Sequence, residues 1–464
     1  MGPAQSATQI PMISANFQSN VFERRRKKLL ATLRPNTDLI VIFNHSLKTR
    51  SHDTEYDYRG NSTFLYYSGF PEPESALILR KTGKTASYKD HSTLLVRPND
   101  PVREHWEGRR FGVEQAKKIF KVEDSDLISN LEKRILEALA QTPAGVAARI
   151  YTNAFHDRDC EIFLMDILRK HRARARRTVM PVESIYDLDP LSNAQRAIKG
   201  PEELKIMRRA GRINVEAHLD VMKALKPGMF EYEIQAICES KYMERGCRAP
   251  AYGSIVASGS SATVLHYSEN NQKMKTGDLL LIDAGCEYEG YASDITRTLP
   301  ISGKFSRAQK SIMDLVGEAH KEGIQLSVVG SSSEKIHKNT ERCLAEGLKS
   351  LGLIKGSMAR IMEKQLHRKY FTHGTGHWMG MDVHDPNPYY DTKGEALKLK
   401  PGMVFTIEPG LYFQPHDKSV PKAYQGIGVR IEDDVVVTSG APEILTDGLP
   451  RYANEIEKFM KEQR

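Results

Sequence analysis

The chain has 464 residues, of which 40% are hydrophobic, enough for globular packing in two domains. The formal net charge is +8, but the basic excess is local, concentrated at 24–28 and 169–177. Because no aromatic residues interleave these runs, we expect solvated helix faces or subunit contacts there and no nucleic-acid binding.

The five cysteines are scattered without a C-x-x-C pair, which predicts a reducing compartment and hence a cytoplasmic location. Residues 1–20 lack the apolar core of a secretion signal, so we expect a flexible leader. No apolar run reaches transmembrane length, and no membrane association is expected.

Strands mix with helices across residues 21–186, and this pattern predicts an α/β domain. The apolar runs predict strands at 37–43, 62–70, 75–80, 92–97 and 148–153, and helices at 124–141 and 159–171. Residues 186–200 lack clear periodicity and contain proline and glycine, which favours a domain boundary.

The region 198–464 is expected to form a second domain. It begins with a strong helix from Pro201, followed by a second helix at about 231–245, and it ends with a helix from about Ala453. The triplet Glu-Ala-His occurs at 216–218 and again at 318–320, each time in a helix that precedes a glycine and another helix. This echo hints at two similar halves.

Two β-like runs flank the sequence EYEG at 287–290 and predict a hairpin. A turn centred on Tyr288 and Glu289 would place Asp283 directly opposite Asp294. Such opposed, partly buried carboxylates require a shared proton, an arginine or metal ions. Arg297 falls on the opposite face by alternation, so metal ions and an ordinary exposed hairpin remain the alternatives.

The glycine-rich segment 371–386 contains three histidines in a span of twelve residues: His373, His377 and His384. The glycines disfavour a helix, so a loop or strand is expected to present the imidazoles. The buried strand after Pro401 ends at Glu408, because Pro409 cannot continue the ladder.

Residues 428–437 are predicted to form one strand, although four charged residues crowd its first half. By alternation Arg430 shares a face with Glu432, and it can orient that acid toward the same metals as Asp283, Asp294 and Glu408. Asp433 and Asp434 are expected at or beyond the site rim. Four carboxylates with one imidazole favour Mn²⁺, with Co²⁺, Zn²⁺ or Fe²⁺ as alternatives.

The order of these residues, each in its local motif, resembles the dinuclear metallopeptidases of the pita-bread fold, peptidase family M24, and within it bacterial-type aminopeptidase P. The matching motifs are LHYSEN (265–270), DAGCEYEGYASDITRT (283–298), HGTGHWMGMDVHD (373–385), EPGLY (408–412) and GIGVRIEDD (426–434). The resemblance implies an α/β (α+β) chain, with an N-terminal creatinase-like domain at 21–186 and a C-terminal pita-bread catalytic domain at 198–464.

Members of that family remove the N-terminal residue when proline follows it. The resemblance implies two Mn²⁺ ions that activate a water, with Asp283, Asp294, His377, Glu408 and Glu432 as their ligands. It also implies that Glu408 shuttles the proton to the leaving prolyl nitrogen. The resemblance further implies that five residues contact the oxyanion or the substrate: His266, His373, His384, Arg430 and Tyr412.

Family members self-associate, so a homo-oligomer (dimer or tetramer) is expected. Trp106 is the candidate for an indole lent to a neighbouring subunit's active site, and its alternative is a half-buried core side chain. The near rival to an aminopeptidase is a prolidase, restricted to Xaa-Pro dipeptides. A non-catalytic pita-bread binding module and a dinuclear phosphoesterase are the more distant alternatives.

Overall fold

A computed structural model describes residues 20–83, 87–174 and 179–463. The expected leader therefore lies almost wholly outside the described residues. The chain divides into two units, Met1–Gln195 and Arg196–Arg464. Within the described ranges, no helix combines the length and the hydrophobicity needed to span a bilayer.

The first unit is built on a mixed six-stranded sheet. The described strands of the unit, six in this sheet and two in a hairpin, are β1 (Asp38–Phe43), β2 (Thr49–Ser51), β3 (Thr54–Glu55), β4 (Ala76–Thr82), β5 (Lys89–Val96), β6 (Asp124–Leu127), β7 (Arg149–Thr152) and β8 (Ser184–Asp187). The sheet has the order β6-β5-β4-β1-β7-β8, and β2 pairs with β3 in a separate hairpin. Central strand β1 is buried along its whole length, which explains its uninterrupted apolar run.

Helices accompany this sheet, and the structure differs from the sequence prediction in two segments. The helices are α1 (Asn20–Leu30), α2 (Ser62–Ser68), α3 (Pro101–Glu107), α4 (Gly112–Phe120), α5 (Leu131–Ala140), α6 (Arg158–Ala173) and α7 (Asp189–Arg196). The predicted strand at 62–70 is wrong: Asn61 caps α2 by accepting from the Phe64 N–H, and left-handed Gly69 ends it. The predicted helix at 124–141 is wrong in its first part, which forms β6 and a short 3₁₀ turn before α5.

The basic run at 24–28 is not simply a solvated face. Arg25 Nη1 donates to Tyr66 O at 3.1 Å, and Arg26 Nη1 donates to Tyr67 O at 3.0 Å. Both guanidiniums are buried against carbonyls in the last turn of α2, where the unpaired carbonyls carry partial negative charge. Part of the second run, 175–177, lies outside the described residues.

The second unit contains helices and small sheets in two successive groups. Its helices are α8 (Pro201–Ala224), α9 (Glu231–Glu244), α10 (Arg307–Gln325), α11 (Ser333–Ser350), α12 (Met358–Glu363) and α13 (Ala453–Glu462). Its strands are β9 (Ala249–Pro250), β10 (Ile255–Ser258), β11 (Leu279–Ala284), β12 (Cys286–Tyr288), β13 (Tyr291–Ala292), β14 (Ile295–Pro300), β15 (Val404–Ile407), β16 (Gly410–Tyr412), β17 (Gly428–Arg430), β18 (Asp433–Val436) and β19 (Glu443–Ile444). The predicted helices from Pro201, at 231–245 and from Ala453 are confirmed.

A helix pair followed by antiparallel strands occurs twice in this unit. The pair α8–α9 precedes the sheet β10-β11-β14, and the pair α10–α11 precedes the sheet β15-β18-β19. An isolated bridge between Thr296 and Glu432 joins β14 to the segment between β17 and β18. This junction lies where the charged motifs meet.

Candidate metal centre

A cavity of about 580 Å³ in the second unit collects side chains from distant segments of the chain. It is lined by all the sequence-predicted metal ligands and by four further predicted residues: Asp283, Asp294, His377, Glu408, Glu432, His266, His373, His384 and Arg430. Tyr412 lies behind this wall. Trp106 is on α3 of the first unit, and its side chain is 83% exposed, which excludes the half-buried alternative.

The acidic hairpin has a different register from the predicted one. Asp283 pairs with Thr296, not with Asp294, because the turn centres on Glu289 and Gly290. Both turn residues have positive φ, 48° and 78°, as a two-residue hairpin turn requires. The register differs by two positions, so Asp294 keeps the face that it shares with Asp283.

Tyr252 joins the two hairpin acids. Its hydroxyl lies 2.6 Å from Asp283 Oδ1 and also contacts Asp294 Oδ1. A hydroxyl has one proton and can donate to only one of these oxygens at a time. Burial, followed by the charge of Asp283, raises the pKa of Asp294. The pair therefore needs a proton or a cation between its oxygens.

His377 is held on a loop with one ring nitrogen aimed at the acids. Its Nδ1 lies 3.1 Å from Trp378 O, so Nδ1 carries the proton and Nε2 is directed to the carboxylates. Nε2 is 3.5 Å from Asp294 Oδ2 and 3.6 Å from Glu408 Oε1. Burial lowers the pKa of His377, but these two acids raise it to about 9.

The loop of His377 is tied to strand β15. Thr406 N donates to His377 O at 2.9 Å, and Thr406 Oγ1 accepts from the His377 N–H at 3.0 Å. A Cβ on Gly376 would lie 1.8 Å from Thr406 O, so only glycine permits this approach. The predicted loop presentation of the imidazole is confirmed.

Glu408 and Glu432 complete the acidic cluster from two positions beside strands: Glu408 after β15, and Glu432 between β17 and β18. Glu408 directly follows β15, and burial raises its pKa to about 7, against the opposing charges of His377 and Arg430. Glu432 Oε2 accepts from Thr296 Oγ1 at 2.6 Å, and burial with the charge of Asp294 raises its pKa well above the ordinary value. The predicted single strand at 428–437 is wrong, because it breaks at Ile431–Glu432 and its two parts join different sheets.

The donor set fits a divalent cation. Ligand atoms of Asp294, His377 and Glu432 all lie within 4.8 Å of one another. Carboxylates with raised pKa values repel one another at this distance, and a cation would replace the repulsion with attraction. The oxygen-rich set with one imidazole is suited to hard or borderline divalent ions.

Arg430 contacts a different acid from the predicted one. Its Nη2 donates to Asp283 Oδ2 at 2.5 Å, its Nε to Thr296 Oγ1 at 3.1 Å and its Nη1 to the Tyr412 hydroxyl at 2.9 Å. The Tyr412 hydroxyl in turn lies 2.8 Å from His373 Nε2. Burial and the charge of Arg430 lower the pKa of His373 to about 4, so the imidazole is neutral and accepts this bond.

His266 and His384 occupy the open side of the cavity, where both are exposed. The His384 ring centroid lies 4.2 Å from that of His377 at an interplanar angle of 72°. Burial and the charge of His377 lower the pKa of His384. These two imidazoles can reach a molecule entering the cavity from solvent.

Asp433 and Asp434 are not at a rim, contrary to the prediction, since both are fully buried. Asp433 accepts from Arg297 Nη2 at 2.9 Å and Arg451 Nε at 2.7 Å. Arg297 also donates to Glu432 O at 2.7 Å, so this ion pair fixes the backbone of the acid beside it. Asp434 Oδ2 accepts from the Asp294 N–H at 3.1 Å.

Sequence reasoning missed the roles of Tyr252, Thr296 and Asp434. The position of Thr296 could have been predicted, because alternation places it on the same face as Asp294, two residues away. The positions of Tyr252 and Asp434 could not, because each reaches its partner only through the tertiary fold.

Comparisons with known proteins identify the family of this chain. The family model "Metallopeptidase family M24" matches residues 205–439, and "Aminopeptidase P, N-terminal domain" matches residues 22–146. The Xaa-Pro aminopeptidase of Escherichia coli (strain K12) is 38% identical over 439 residues, covering 95% of this chain and 97% of that protein.

Solved structures of aminopeptidase P from E. coli match as well. The complex with the inhibitor Pro-Leu has a TM-score of 0.90 at 38% identity and covers 97% of this chain and 99% of the other. A Zn-substituted form in complex with product has a TM-score of 0.91 with the same identity and coverage. The predicted α/β fold class and two-part architecture are confirmed, and the chain belongs to metallopeptidase family M24.

Proposed function

We propose that this protein is an Xaa-Pro aminopeptidase, a metal-dependent hydrolase that removes the N-terminal residue from peptides with proline second. The observation that carries the proposal is the convergence of Asp294, His377 and Glu432, whose ligand atoms lie within 4.8 Å of one another. The matched relative is an Xaa-Pro aminopeptidase and the matched structure is an aminopeptidase P, and each match covers nearly the whole chain. The prolidase alternative is therefore not favoured.

Two divalent ions are proposed, held by Asp283, Asp294, His377, Glu408 and Glu432, with Mn²⁺ as the first choice. The Zn-substituted relative supports a site that accepts more than one metal. When bound, the ions would polarise the scissile carbonyl. They would also lower the pKa of a water, so that it can act as a nucleophile at neutral pH.

The side chains of this chain would perform the remaining steps. Glu408 would receive a proton and return it to the departing prolyl nitrogen, and its position inside the cavity beside His377 supports this role. His266 and His384, at the exposed side, would donate to the developing oxyanion or to the substrate. Neutral His373, oriented by Tyr412, would contact the peptide beyond the proline nitrogen.

The proposed location is the cytoplasm. All five cysteines are free thiols, which supports a reducing, cytoplasmic location.

The proposed assembly is a homo-oligomer. The highly exposed indole of Trp106 supports an assembly in which this side chain contacts a neighbouring subunit. Light scattering of the wild type and of Trp106→Ala tests that assembly, and a monomeric wild type would contradict it.

Cleavage of three matched peptides tests the function. Xaa-Pro-Xaa should be hydrolysed after the first residue, whereas its Xaa-Ala-Xaa counterpart should be a poor substrate. The Xaa-Pro dipeptide separates the prolidase alternative, and preferential cleavage of the dipeptide would favour that enzyme. Equal cleavage of the proline and alanine tripeptides would instead indicate a general aminopeptidase.

A further inference from the structure

A second polar cavity, of about 300 Å³, lies in the first unit, far along the chain from the metal-centre motifs. Its floor is one face of the sheet, where Ile78, Arg80 and Thr82 alternate along β4. Arg80 is paired across the strands with His91 of β5. Side chains of α5 and Gln141, the residue that ends this helix, form the other wall.

Arg80 is a buried cation without a matching acid. Arg80 is only 9% exposed, and its Nη1 donates to Gln141 Oε1 at 2.8 Å. Among the residues that the structure describes, no carboxylate oxygen lies within 4 Å of its guanidinium. Burial lowers the pKa of Arg80, but an arginine stays charged at neutral pH.

The other charges on the cavity wall do not offset this one. Arg134 is already balanced, because its Nε lies 2.5 Å from Asp126 Oδ2 and its Nη2 lies 3.2 Å from Asp124 Oδ2. Glu137 is the acid on the wall, but it is exposed and lies 3.9 Å from Lys133. Among the described residues, the charge of Arg80 therefore has no acidic partner, and its one hydrogen bond is to the neutral amide of Gln141.

A buried charge is costly unless it is paired, and the planar guanidinium of arginine pairs most strongly with a carboxylate or a phosphate. The guanidinium has five N–H donors, of which Gln141 uses one. The Thr82 hydroxyl also lines the cavity, together with Thr93 and His91, whose Oγ1 and Nε2 lie 3.3 Å apart. Thr82 and one member of the Thr93–His91 pair can donate to an oxygen-rich ligand.

We propose that this cavity binds a small oxyanion, a phosphate, sulfate or carboxylate group, with Arg80 as its principal contact. The cavity is larger than an inorganic anion, so it has room for a short organic substituent on that group. The proposal depends only on residues of the first unit and is independent of the proposed peptidase activity.

Sulfate is the probe of choice, because it keeps its charge and does not precipitate Mn²⁺. Equilibrium dialysis with labelled sulfate should show saturable binding to the full-length, metal-loaded protein at constant ionic strength. Arg80→Met should weaken binding by about tenfold or more. Arg80→Gln, which keeps a donor toward Gln141, provides a second variant, and the exposed Arg169→Met is the charge-matched control.

Thermal unfolding provides a second readout. Sulfate should raise the melting temperature of the wild type more than that of Arg80→Met, because only the wild type gains a specific ligand. In chloride, Arg80→Met should be at least as stable as the wild type, since it removes an unpaired buried charge. Acetate in place of sulfate distinguishes a planar carboxylate ligand from a tetrahedral one.

Three outcomes would overturn the proposal. Neither sulfate nor acetate binds the wild type; or Arg80→Met and Arg80→Gln bind the anions as tightly as the wild type does; or sulfate stabilises the wild type and both variants equally. The last result would show a general salt effect on the protein surface.

Discussion

Arg430 donates a hydrogen bond from Nη2 to Asp283 Oδ2 at 2.5 Å, and both groups lie in the wall of the acidic cavity. The same guanidinium reaches Thr296, which in turn donates to Glu432. Arg430 therefore orients two acids at once, one directly and one through a hydroxyl. Such outer contacts fix the geometry of metal ligands and tune metal affinity.

Arg430→Lys should weaken Mn²⁺ binding by roughly 10- to 100-fold, the range typical for loss of an outer-shell partner. A lysine ammonium cannot donate in a planar fork to Asp283, Thr296 and Tyr412 together. Calorimetric titration of metal-free protein measures the change. Arg208→Lys is the control, because Arg208 makes a comparable two-bond pair with Glu443 on the surface. Unchanged affinity in Arg430→Lys would refute the orienting role.

Glu408→Gln should keep most of the bound metal but lower kcat by roughly 10²- to 10⁴-fold, the usual contribution of a general acid–base group. Glutamine can still offer an oxygen to a metal, but it cannot carry the proton to the prolyl nitrogen. Elemental analysis and peptide cleavage on the same sample separate the two effects. Full activity with normal metal content would show that Glu408 is not the shuttle.

The raised pKa of Glu408 also predicts a pH-dependent stability difference in the metal-free protein. Its folded-state pKa is about 7 against an ordinary 4.5, so ionisation opposes folding as the pH rises through this window. Metal-free Glu408→Gln should gain stability relative to wild type between about pH 4.5 and 7, by up to about 3 kcal/mol.

Melting temperatures of chelator-treated wild type and Glu408→Gln across that range check this difference. The comparison cancels the contribution of groups common to both proteins, such as buried His218, whose pKa is lowered by burial to about 4. A difference that stays constant with pH, or shrinks as the pH rises, would contradict the burial of an ionisable Glu408.

Arg297→Met should destabilise the second unit by about 3–5 kcal/mol, the usual result of removing one partner from a buried ion pair. The substitution leaves Asp433 with fewer donors and releases the carbonyls of Thr296 and Glu432. Calorimetry should show the loss as a lower melting temperature. Arg208→Met removes an exposed pair and should change stability by less than about 1 kcal/mol. Equal effects of the two variants would argue against the buried pair as a support.

Sequence patterns located the site because the error of register was even, and an even slip leaves each side chain on its own face of the sheet. Asp283 and Asp294 were expected to be directly opposed, and the observed offset of two positions still leaves both on one face. His377 and Glu408 were located by the glycines and proline that end regular structure beside them. Local composition therefore identified which residues face the cavity without their exact pairing.

The remaining features depend on tertiary contacts that no local pattern encodes. Arg25 and Arg26 are buried because the end of α2 supplies carbonyl acceptors, and α2 itself was expected to be a strand. Asp433 is buried because Arg297 and Arg451 approach from other elements. Tyr252 reaches the hairpin acids from a separate loop. A charged segment is therefore exposed only when the fold supplies no hydrogen-bonding or oppositely charged partner for its side chains.

Titration of Mn²⁺ into metal-free protein, followed by cleavage of an Xaa-Pro-Xaa peptide, tests the proposed metallopeptidase most directly. Activity should be absent without metal and should rise to a plateau near two ions per chain, with hydrolysis only at the bond before proline. Full activity after exhaustive chelation, or no proline-directed cleavage at any metal concentration, would contradict the account.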